Sequence, residues 1–86
     1  MKTLCFDFGN TRLKFAVFYD DVFTEEITLP NEELFTIERV LYVHQPQRTI
    51  LSSVINHNPA IETLLAAQTK FHKLSHLTKA NFTASV

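Results

Sequence analysis

The stretch KTLCFDFGNTRLKFAVFY, residues 2–19, decides the fold. From Lys2 to Phe8 the residues alternate, Leu4, Phe6 and Phe8 on one side and Thr3, Cys5 and Asp7 on the other, which is the period of a strand. Arg12 to Tyr19 alternates again, with Leu13, Phe15, Val17 and Tyr19 together. Between the two runs stand Gly9 and Asn10, which both tolerate positive φ, so the stretch reads as a β-hairpin. Two registers are open. A two-residue turn sets Asp7 opposite Arg12 and Cys5 opposite Lys14, whereas a four-residue loop from Gly9 to Arg12 sets Asp7 opposite Lys14. In both, one carboxylate and one or two cations share a face, and Leu4, Phe6, Leu13 and Phe15 share the other, against a core.

Outward from the hairpin, Asp20-Asp21 makes a second turn and Val22 to Leu29 a third strand, stopped by Pro30. The period then becomes helical. Asn31 is a cap, Glu32 and Glu33 suit a first turn, and Leu34, Ile37 and Leu41 form an apolar stripe widened by Phe35 and Val40. This helix fades near Tyr42 to His44, before Pro46. Arg48 to Ile55 is a fourth strand. Asn58-Pro59 opens a second helix that buries Ile61, Leu64 and Leu65, and Phe71 to Leu74 is a short fifth strand. The expected fold class is therefore α/β, in the order βββαβαβ, a mixed sheet with helices on its faces. Residues 1–75 form one domain, and residues 76–86 are expected to be a poorly ordered tail or the start of a missing segment.

Composition sets the outer bounds. The chain has 86 residues, 45% hydrophobic and 20% charged, with a formal net charge of −1, which is ordinary for a small soluble domain. Residues 1–45 carry eight acids against four bases, and residues 46–86 four bases against one acid. Four cations over that length make no dense basic stripe, so nucleic acid is not an expected partner. A single cysteine excludes an internal disulfide. No apolar run reaches the roughly 20 residues of a membrane helix, no signal peptide precedes the first strand, and a cytoplasmic location is expected.

The chemistry concentrates at the first hairpin. A carboxylate beside cations, next to exposed turn amides, suits a metal-bound polyphosphate: Asp7 can hold Mg²⁺ through water, the turn amides and the Thr11 hydroxyl can donate to phosphate oxygens, and Lys14 can neutralise charge during phosphoryl transfer. Gly9 is the only glycine of the chain, placed where backbone must approach something closely or adopt positive φ. The plain structural alternative is a cross-strand ion pair, worth about 0.2–1 kcal/mol.

The run Asp7-Phe8-Gly9-Asn10-Thr11-Arg12-Leu13-Lys14 resembles the N-terminal D-x-G-N-T-x-x-K signature of type III pantothenate kinases. These belong to the superfamily of acetate and sugar kinases, heat-shock chaperone ATPases and actin, and some relatives are labelled Bvg accessory factor, a transcriptional activator. Ile50-Leu51-Ser52-Ser53-Val54 is similar to the family's I-S-S-V strand, and Phe71-His72-Lys73-Leu74 with Thr78-Lys79 is loosely similar to a segment before its substrate motif. The resemblance implies a ribonuclease H-like, actin-like ATPase half-domain, truncated before its last helix. It implies that Asp7 orients the Mg²⁺ of MgATP, that Gly9, Asn10 and Thr11 form a phosphate loop and that Lys14 contacts phosphate, with Phe8, Arg12 and Leu13 inside the same motif. It also implies pantothenate as substrate in the first step of coenzyme A synthesis, a monovalent cation (potassium or ammonium), and a homodimer. The sequence departs from the family in lacking the G-x-D-R motif that supplies the catalytic base, and a second domain to close the cleft. An inactive N-terminal portion, prone to self-association through uncovered apolar surface, is therefore expected. The rival readings are a non-catalytic dimerisation or transcriptional-accessory module of the same fold, and an unrelated small α/β domain with a purely structural hairpin.

Three further features carry less. Cys5 reads as an inert thiol on a central strand. His72 and His76 stand at i, i+4, but a strand near Phe71 would separate them as metal ligands. Ser52-Ser53 lacks a G-x-S-x-G elbow, so these serines read as hydrogen bonders at a strand end, within reach of the loop.

Overall fold

The computed structural model describes residues 1–74. The expected tail, and with it His76 and Thr78-Lys79, lies outside the described residues. Five strands and two helices follow the order read from the sequence: β1 (Lys2–Phe8), β2 (Leu13–Tyr19), β3 (Val22–Thr28), α1 (Leu34–His44), β4 (Arg48–Ser53), α2 (Pro59–Gln68) and β5 (Lys70–Leu74). They make one mixed sheet in the spatial order β3-β2-β1-β4-β5. β1, β2 and β3 form an antiparallel meander, and β1, β4 and β5 run parallel.

Alternation decides which face is covered. Leu4, Phe6 and Phe8 of β1, Phe15 and Val17 of β2 and Leu51 of β4 all project to one side, where they join Ile37 and Leu41 of α1 and Ile61 and Leu65 of α2 in a single core. Both helices therefore pack on the same face and touch each other, rather than lying on the two faces expected from the element order. The reason is in the side chains. This face offers the larger apolar set for both helical stripes, whereas the other mixes Phe18 and Ile50 with Cys5, Asp7, Lys14, Ala16 and Ser52.

Local chemistry moves the start of α1 and turns two aromatic side chains outward. The Asn31 Oδ1 accepts the Glu33 N–H (3.0 Å) and the Thr36 hydroxyl (2.6 Å), so Asn31 builds a turn of its own. α1 then starts at Leu34 with Glu33 as its uncapped N-cap, and Glu32 and Glu33 stand before the first turn. Phe35, expected in the buried stripe, is 67% exposed because two residues of helix place it about half a turn from Ile37. Tyr19, expected with the buried side of β2, ends its strand exposed, its ring 5.0 Å from Lys2 Nζ. α2 begins as its sequence dictates: Asn58 Oδ1 accepts the Ala60 N–H at 3.0 Å and Pro59 takes the first helical position.

The last residue of the α1 turn is held in the left-handed region. Gln45 has φ 48 and ψ 52, its N–H bonded to Leu41 O at 2.8 Å. A side chain there costs roughly 1 kcal/mol that glycine avoids. Gln45→Gly should raise stability by about 0.5–1 kcal/mol despite loss of the Gln45 Nε2 bond to Tyr42 O; thermal melts of the two proteins check this.

Candidate functional site

The hairpin loop has four residues. Phe8 pairs with Leu13 and Asp7 with Lys14, so of the two registers the structure takes the second, and Arg12 belongs to the loop rather than to β2. On its other side Asp7 pairs with Ser52 of β4. Asp7, Lys14 and Ser52, all half-buried, line a shallow groove of about 430 Å³ on the uncovered face, together with Cys5, Glu26 and Ile50. Lys14 Nζ lies 3.7 Å from Glu26 Oε1. Asp7 forms no ion pair or side-chain hydrogen bond among the described residues.

The loop closes on itself, with the Gly9 N–H donating to Arg12 O at 2.9 Å. That amide is therefore engaged within the turn, and the exposed Asn10, Thr11 and Arg12 are the residues free to meet a ligand. Neither Gly9 nor Asn10 has positive φ. Close approach accounts for the glycine: a Cβ there would sit 3.3 Å from Arg12 O. Phe8 is fully buried in the core and can offer a ligand only its backbone, and Leu13 leans on the same core.

Gly9 to Leu13 line a second depression of about 410 Å³ with Asn31, Glu32 and Ile55. Glu32 was legible only as a helix-start acid. The turn built by Asn31 instead brings it to the loop, where its Oε2 is buried without a hydrogen-bond partner. A buried, unpartnered carboxylate oxygen is costly unless a proton or cation meets it. The signal that could have located Glu32 is the asparagine two residues before Glu33, a turn-former as well as a cap. Another groove, about 530 Å³ between β3 and α1, is lined by apolar side chains such as Phe15, Leu29 and Val43 together with Glu33, Arg39 and His44. Among the described residues no three histidine, cysteine or acidic side chains converge as metal ligands.

Two titrating groups flank the site. Burial pushes the Cys5 thiol up, against a smaller opposing effect of Arg48, so it stays a poor thiolate as expected. On the helix-covered face, Glu62 Oε2 meets His57 Nε2 at 2.6 Å and Lys73 Nζ at 3.1 Å. The hydrogen bond from His57, helped by Lys73, holds the Glu62 carboxyl below its ordinary 4.5. The sequence reading gave His57 no role, because histidine four residues beyond a serine and five before a glutamate has no recognisable period.

No family model matches the chain, and a search of curated proteins finds no match.

Because the folded pKa of Glu62 is depressed, its contribution to stability is full above pH 4.5 and is lost as the pH falls through the folded value. Glu62→Gln should lower stability at pH 7 and flatten the acid limb below pH 4.5, read by urea unfolding from pH 3 to pH 7.

Proposed function

We propose that this chain is the ATP-phosphate-binding half-domain of a pantothenate kinase of type III, with an actin-like, ribonuclease H-like ATPase fold. The activity in question is transfer of the γ-phosphoryl group of MgATP to pantothenate, at the start of coenzyme A synthesis. The observation that carries this reading is the register that sets Asp7 opposite Lys14, beside a loop whose Asn10, Thr11 and Arg12 are exposed. The βββαβαβ order supports it, since that is the order of the half-domain the signature implies.

The residues fit a magnesium-bound phosphate chain. Asp7 is unpaired among the described residues, and one carboxylate matches an ion that keeps most of its water and takes further ligands from phosphate. Asp7 would hold that ion, which would neutralise phosphate charge. Thr11 and the exposed loop amides would donate to phosphate oxygens, and Lys14 would add a positive charge on the Asp7 side. The sequence carries no G-x-D-R, so no catalytic base is assigned. The pantothenate site, the potassium or ammonium requirement and the homodimer are part of the same proposal and rest on the signature alone.

One observation favours the rival association module: α1 leaves Phe35, Tyr42 and Val43 at least 66% exposed along one side. Titration calorimetry separates the readings. The kinase reading expects binding of MgATP that chelation of magnesium abolishes, and that Asp7→Ala weakens about ten-fold or more. Absence of binding, or binding indifferent to both magnesium and Asp7→Ala, overturns it. Self-association in sedimentation that Tyr42→Ser dissolves, without MgATP binding, would establish the rival.

A further inference from the structure

Behind the loop, on the helix-covered side of the sheet, four elements meet at one imidazole. The His57 side chain is 9% exposed. Its Nε2 lies 2.6 Å from Glu62 Oε2 on α2 and its Nδ1 3.1 Å from Ser53 Oγ at the end of β4. Its ring stands edge-on to Phe8, the last residue of β1, with centroids 5.9 Å apart. Glu62 in turn holds Lys73 of β5. Among the described residues the charged groups around His57 are thus Glu62 from α2 and, through that carboxylate, Lys73 from β5, while β1 and β4 present the uncharged Phe8 and Ser53.

Counting protons shows what the ring is doing. The Ser53 hydroxyl has one hydrogen and two acceptors in reach, Ile55 O at 3.0 Å and, when it carries no proton, His57 Nδ1 at 3.1 Å, and its oxygen also faces the Ile55 N–H at 3.4 Å. Where the hydroxyl serves Ile55 O, Ser53 Oγ accepts from His57 and Nδ1 carries a proton. The Glu62 carboxylate is an acceptor too, so in that arrangement Nε2 carries a proton as well and the ring is doubly protonated. A neutral ring has a single N–H, and the short contact to Glu62 retains it. Nδ1 then needs the Ser53 proton, and the Ile55 carbonyl loses its donor.

That exchange reaches the loop. Ile55 walls the depression formed by Gly9 to Leu13, and the neighbouring Val54 N–H donates to Phe8 O at 3.1 Å, immediately before Gly9. The order serine–histidine–carboxylate also resembles a nucleophilic relay, but Ser53 Oγ is tied to both the carbonyl and the N–H of Ile55 within its own turn and the ring behind it is 9% exposed, so the arrangement braces the strand end.

We propose that His57 is a positioning residue for the Gly9–Arg12 loop, its protonation choosing which acceptor the Ser53 hydroxyl serves and thereby how the β4 end and Ile55 stand against the loop. The coupling of His57 to the loop stands on geometry alone. Its consequence for a ligand rests on the phosphate reading: the protonated ring, with its full set of hydrogen bonds, is the form that presents the loop to MgATP. Imidazole is a side chain that gains a proton in mild acid, so pH is the variable that tests the coupling.

The test is an NMR pH titration of the whole chain from pH 5 to 8. The Gly9, Val54 and Ile55 amides are expected to shift along the same curve as the His57 ring, and in Ser53→Ala the ring should still titrate while these amides stay flat. Loop amides that ignore the ring, or follow it unchanged in Ser53→Ala, overturn the proposal. A calorimetric arm compares MgATP affinity at pH 6 and pH 8 in the unsubstituted chain and in His57→Gln, which controls for titration of the nucleotide. A loss at pH 8 of about five-fold or more beyond that of His57→Gln is expected. Equal losses in the two proteins overturn the functional half of the proposal. Loop amides that track His57 in a chain that binds no MgATP overturn the phosphate reading and leave the brace standing.

Discussion

The pairing of Phe6 with Phe15 across β1 and β2 is the constraint on which the rest depends. Their rings lie 5.6 Å apart inside the core. Because side chains alternate along a strand, slipping this pair by one residue would turn one strand's apolar set into solvent. Burial of both aromatic rings puts Asp7 and Lys14 on the opposite face, and the four-residue turn sets them side by side. The position of the charged pair thus follows from packing and turn closure and would exist whether or not a ligand used it. The same register leaves four residues to close the turn, and their closure engages the Gly9 amide.

Much of this was legible in the sequence, because two-residue alternation and helical spacing are strong where side chains are large. The seven elements and their order, the Asn58-Pro59 helix start and the apolar sets of β1 and β2 were all readable. What was not readable came from contacts that no local pattern encodes. The hairpin admitted two registers because both satisfy the same alternation, and only the turn's own hydrogen bond separates them. Asn31 suits a cap and a turn equally, and the Thr36 hydroxyl tipped it toward the turn. That displaced Glu32 to the loop. The placement of both helices on one face followed from which sheet face had bulk to offer, a comparison between faces that no single segment contains. The Ser53–His57–Glu62 chain spans a strand end, a connection and a helix, so it has no signature along the sequence.

The uncovered face has an unusual character. Parallel strands are generally covered on both sides. Here β1, β4 and β5 run parallel, yet among the described residues only one side carries helices. Cys5, Ala16 and Ile50 are half-buried by their neighbours within the sheet. The charged residues around them, Asp7, Lys14 and Glu26 at one end and Asp21 and Arg48 toward the other, keep that surface from being a simple apolar patch. Arg48 bridges the ends of three strands, with Nε 3.2 Å from the Thr3 hydroxyl on β1 and a guanidinium nitrogen 3.3 Å from Asp21 in the turn before β3.

Among the described residues β3 is an outermost strand, with one row of backbone N–H and C=O groups unpaired. Such an edge is a template on which further chains can stack into fibrils. Two features oppose that growth. Glu25 and Glu26 are consecutive and exposed, so an antiparallel copy would bring carboxylates together. The register also shifts between Val17 and Phe18, which bends the ribbon out of the flat form that stacked cross-β layers require. Acidification that neutralises those two carboxylates would remove the first barrier and leave only the second, so this border of the sheet is the place from which amyloid-like assembly would start in acid.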